Sequence, residues 1–172
     1  MIFEMYFVRQ AYTQMLAHEL KKIVRMLRAF PLERFDEREL GCVDSARELA
    51  LGFVHHVRRI DEIAYDRGGA LPQPGVRSRG EILLELETAY LGAHTALLTL
   101  PATRWGDVVA APPGLSHWRQ ARRGELLWLA LRELIRHDRH FALHMRGISH
   151  GGGGVRREPM RDPVPGAVAI GV

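Results

Sequence analysis

The chain has one cysteine, Cys42, in 172 residues. A single thiol forms no internal disulfide, so the fold must stand on packing, and the composition suits a reducing cytosol. Beside Gly41 and without a CxxC partner, Cys42 reads as an inert thiol rather than a redox centre. Lysine is scarce: arginine far outnumbers it, and the net charge is only +4. Apart from Arg119, Arg122 and Arg123, and the pair Arg156–Arg157, the basic residues are spread over helical faces. No aromatic and basic residues interleave on a strand, as an RNA-binding sheet requires, so nucleic acid is not an expected partner. Long apolar runs are missing as well. None reaches the roughly 18 residues needed to span a bilayer. Met1 to Phe7 is apolar but carries Glu4, is followed by Arg9, and lacks a basic leader and a small-residue cleavage site. It reads as the start of a helix and not as a signal peptide. A cytoplasmic protein without a membrane segment is the expectation.

What is present is helical periodicity. At 47% hydrophobic and 26% charged residues, the chain is an ordinary globular composition with enough length for one real core. Apolar residues recur at helical spacing from Phe3 to Phe30, where Pro31 stops the pattern. Ser45 with Glu48 has capping-box spacing and opens a second helix that reaches Tyr65. On it, Leu49, Phe53, His56, Ile60 and Ile63 form one stripe, while His55 falls with Glu48, Arg59 and Glu62 on the polar face. Ser78 caps a third helix to about Leu98, with Pro101 beyond it. A fourth is expected from about His117 to Arg146, with Gly147 as its terminator. Residues 66–77 and 102–116, rich in glycine and proline, read as long connections. No strand pattern competes. The expectation is therefore an all-α four-helix bundle over residues 1–147, with at least one crossover, and a Gly/Pro-rich irregular tail over residues 148–172.

The fourth helix carries the chemistry. Glu133, His137, His140 and His144 stack along one face, because residues three and four apart are helical neighbours. Imidazoles and a carboxylate on one stripe are what a metal site on a helix needs. His56, inward on the second helix, is the natural donor from across the bundle. Arg136, Asp138 and Arg139 interleave with the histidines, so part of this segment is expected to face water. The pairs Ser116–His117 and Ser149–His150 are adjacent in sequence, point apart on regular elements and lack an acid, which leaves a serine-hydrolase reading weak. The glycine run 151–154 lacks the lysine and Ser/Thr of a phosphate loop. Trp105, Trp118 and Trp128 read as packing anchors.

The stretch from Ser45 to His56, and Glu125-Leu126-Leu127-Trp128 leading into Arg132 to His137, resemble the DinB/YfiT-like superfamily of bacterial four-helix-bundle metalloenzymes. The resemblance spans roughly residues 5 to 147. It implies one metal-binding histidine on the second helix and a pair spaced by four on the last. Aligned by Trp128 and Arg146, the final ligand falls on His137, and the position four earlier is Glu133 instead of histidine. The Arg-Gly-Gln that usually follows is here Asp138-Arg139-His140. An alternative register uses His140 and His144. On the second helix the family position is matched by His56, or in other registers by His55 or Gly52. The ligand set expected is His56, His137 and His140, with Glu133 as a further ligand or as the catalytic base. The cofactor expected is one divalent ion: zinc, nickel or iron. Family members include thiol-dependent transferases and isomerases and metal-dependent hydrolases. A small-molecule substrate and a homodimer are expected. The rival expectation is a non-catalytic helical binding or scaffold protein with structural histidines.

Overall fold

The structure, a computed structural model, describes residues 2–38, 44–66, 77–115 and 119–151. Helix α1 spans Ile2–Ala29, α2 Ala46–Tyr65, α3 Arg79–Thr99 and α4 Arg123–Gly151. Short 3-10 turns cover Leu32–Arg34 and Ala102–Gly106. Cys42, the Ser116–His117 pair, Trp118 and the tail from residue 152 lie outside the described residues.

The ends of α2 and α3 follow from local chemistry. Ser45 and Ser78 each form a capping box, with Glu48 and Glu81 respectively bonding back to the cap backbone. Each box satisfies two of the amide N–H groups that a helix start leaves free. The last carbonyls of α2 are met differently. Asp66 turns the chain left-handed at φ 56°, and the Arg123 guanidinium lies against the end of the helix.

The helices do not simply alternate. Phe53 of α2 packs on Phe141 of α4, while Arg123 at the start of α4 meets Ile63 near the end of α2, so this pair is antiparallel. Tyr65 bonds Thr99 and Arg58 pairs with Glu85, so α2 and α3 run parallel. Tyr12 contacts Trp128 and Phe30 contacts Phe141, so α1 and α4 run parallel as well. Two parallel neighbours in sequence order require a connection that crosses the length of the bundle, as the long spacer between α2 and α3 suggests. Leu16, Ile23, Phe53, Ile60, Leu86 and Leu134 are fully buried in the shared core. Among the described residues, no helix is long and apolar enough to cross a membrane.

Two expectations are corrected. Strand β1, Val108–Ala110, pairs antiparallel with β2, Gln120–Arg122, in the register Val109↔Ala121. Helix α4 therefore starts at Arg123 and not near His117. Strands of 3 residues are too short to show alternation in sequence. At the other end, α4 passes Gly147 and reaches Gly151. A glycine costs a helix only about 1 kcal/mol, which does not oblige it to stop.

Candidate functional site

Helices α2 and α4 cross where Gly52, His56 and His137 meet. The cleft beside this crossing has a volume of about 280 Å³ and is lined by His56, Glu133, Arg136, His137 and His140. Four of these were expected from the helical stripes. Arg136, read from sequence as a water-facing residue, is the fifth, and its guanidinium lies 2.6 Å from Glu133 Oε2.

His137 is held tightly. Its Nε2 lies 2.7 Å from the carbonyl oxygen of Leu49. A carbonyl only accepts, so Nε2 carries the hydrogen and Nδ1 is left with the lone pair of the neutral ring. Phe53 meets the ring edge-on at 4.8 Å between centroids, and the His56 ring lies 5.0 Å away. Burial lowers the His137 pKa, with the Leu49 bond working in the opposite direction. His56 is pushed down to about 3, first by burial and then by His137 and Arg59. Both rings are therefore neutral at pH 7, which is the form that donates a lone pair. His56 Nδ1 is buried and, among the described residues, has no hydrogen-bond partner.

The other candidates divide. His140 is exposed on the cleft rim, with its ring 6.5 Å from that of His137. His144 is turned away: it is buried, stacked on Phe30 at 6.2 Å, and outside the cleft lining. The register His140 with His144 is thus not brought together. His55 lies beside His56 at 5.9 Å but does not line the cleft. The expectation that part of this segment faces water holds for Arg136 and Arg139, which are exposed, but Asp138 is not in that part. It is 0% exposed, faces α1 and pairs with Lys22. Glu19 lies buried beside it, with its pKa raised by burial and by Asp138. Helix α4 is flanked by both α1 and α2, so two of its faces are inward, and charge on one of them must be paired.

No family model matches the chain, and no curated protein matches it. Among solved structures, the chain is similar to a DinB-like protein, YjoA, of Bacillus subtilis. The TM-score is 0.61 at 14% identity, covering 80% of this chain and 92% of that one. The fold is DinB-like.

The donor types in the cleft suit a divalent transition metal: neutral imidazoles and a carboxylate, on helices facing each other. The side chains as they stand bring two imidazoles together. Among the described residues, no group of three or more His, Cys, Asp or Glu side chains is arranged to hold an ion. Glu133 is engaged by Arg136, and His140 points to the rim, so a third donor has to come from a side-chain rotation.

Proposed function

We propose that the cleft between α2 and α4 binds a divalent transition metal and a small-molecule substrate, as a DinB-like metal-dependent transferase, isomerase or hydrolase. The supporting observation is the pair of neutral imidazoles, His56 and His137, side by side in a cleft that Glu133 and His140 also line. His56, His137 and His140 would hold the ion. When bound, it would supply Lewis acidity toward a water, thiol or carbonyl. Glu133 is the candidate base, and Arg136, mostly exposed, is free to swing away and release it. Burial of the two rings keeps them unprotonated, so binding need not displace protons from them.

A second reading, a non-catalytic bundle with structural histidines, is favoured by the lack of three converging donors among the described residues and by the Leu49 bond that His137 already makes. Protein purified without a histidine tag, titrated with zinc and nickel by calorimetry and thermal melting, separates the two. The metal reading expects one equivalent bound and a stabilisation of roughly 2.7 kcal/mol at a hundredfold excess over the dissociation constant. It also expects both effects to vanish in His137→Ala and persist in His55→Ala. Absence of any metal-dependent stabilisation in the wild type would leave the non-catalytic reading standing.

A further inference from the structure

Gly52 sits in the middle of α2, where glycine costs the helix about 1 kcal/mol relative to alanine. A residue kept at that cost in a helix interior needs a packing reason. The reason lies across the crossing. A Cβ placed on Gly52 would stand 2.4 Å from His137 Nε2 and 2.6 Å from its Cε1. Both distances are well inside van der Waals contact. Phe53 and His56 flank the ring at 4.8 and 5.0 Å, so it can give way only toward the cleft it lines, away from the Leu49 carbonyl. Only a bare backbone at this point lets the imidazole lie against α2 and reach the Leu49 carbonyl.

We propose that Gly52 is a positioning residue for His137, fixing the Nε2–H tautomer through Leu49 and leaving Nδ1 as the lone pair available to the cleft. The arrangement is the one in which a ligating imidazole is oriented by a backbone carbonyl on its second nitrogen. It deepens the metal reading and rests on it only for the identity of what Nδ1 meets. Any side chain at Gly52 then breaks the Leu49 bond and frees the ring to rotate.

The test uses the full chain and three readouts. Long-range nitrogen–proton correlation spectra should show the Nε2–H tautomer for His137 in the wild type and lose it in Gly52→Ala. Melting temperatures should show a sign reversal: Gly52→Ala lowers Tm in the wild-type background, yet raises it in a His137→Ala background, where helix propensity acts alone. Zinc affinity should fall at least tenfold in Gly52→Ala. The inference is overturned if Gly52→Ala keeps the Nε2–H tautomer, or raises Tm in both backgrounds. Should Gly52→Ala fail to fold by itself, the His137→Ala background decides: a stabilised double variant supports the clash, and an equally unfolded one sinks it. A wild type that binds no zinc removes the metal reading, while the tautomer and the sign reversal still decide the role of Gly52.

Discussion

Arg123, the first residue of α4, donates to the carbonyl oxygen of Ile63 on α2 at 2.5 Å, from a side chain only 1% exposed. The same guanidinium bonds the Ala64 carbonyl at 2.9 Å and Asp66 at 2.8 Å. It therefore occupies the negative end of α2 and takes up two of the last-turn carbonyls that a helix leaves without an intrahelical partner. Arg123→Ala should destabilise the protein by about 3 kcal/mol, because it strands buried carbonyls. Arg123→Lys should recover little, since one ammonium cannot reproduce the planar fork. Urea denaturation curves of both variants check this; a lysine variant of wild-type stability would contradict it.

Lys22 and Asp138 tie α1 to α4, with side-chain exposures of 44% and 0%. Removing the lysine leaves the buried carboxylate without its cation. Removing the charge of the aspartate leaves a lysine that can turn to water. Lys22→Met should therefore cost more than Asp138→Asn, about 2 kcal/mol against about 1 kcal/mol, with the first discounted for the lysine's exposure. A double-mutant cycle by chemical denaturation measures the difference, and the reverse order would refute it.

His56 gives the fold an acid sensitivity. Its pKa is held near 3 in the native state, against 6.5 for an unperturbed imidazole. Between those values the unfolded chain takes up a proton that the folded chain refuses. Stability is thus full above about pH 6.5 and is lost progressively as the pH falls toward 3. In His56→Gln, the loss between pH 7.5 and 5.5 should shrink by about 1 kcal/mol, roughly 2–4 °C in Tm. Melts across that range provide the check. Parallel pH profiles for the two proteins would show that His56 is not the titrating group.

Phe141 joins three helices, lying 5.9 Å from Phe30 of the α1 end and 5.5 Å from Phe53 of α2. It is fully buried. Phe141→Ala should cost about 4 kcal/mol through lost transfer energy and the cavity left behind, and Phe141→Leu markedly less. Equal losses in the two variants would show that volume is not what Phe141 supplies.

The sequence by itself determined the helices. Apolar spacing, Ser45 with Glu48, Ser78, Pro31 and Pro101 are local signals, acting over a turn or less, and the structure places α1 to α3 within a residue or two of where they point. The DinB-like resemblance rested on the same local stretches. Tertiary structure decided the rest. The β1–β2 pairing trims α4 back to Arg123, because its hydrogen bonds join segments too short to signal alone. Which histidines share a cleft depended on how α4 is rotated between α1 and α2. That rotation turns His137 and His140 toward α2 and buries His144 against Phe30. Asp138 could not be told from a surface aspartate until Lys22 was brought opposite it. Gly52 carried no periodic signal whatever. Its meaning is the space it leaves, and that space exists only once His137 arrives from another helix.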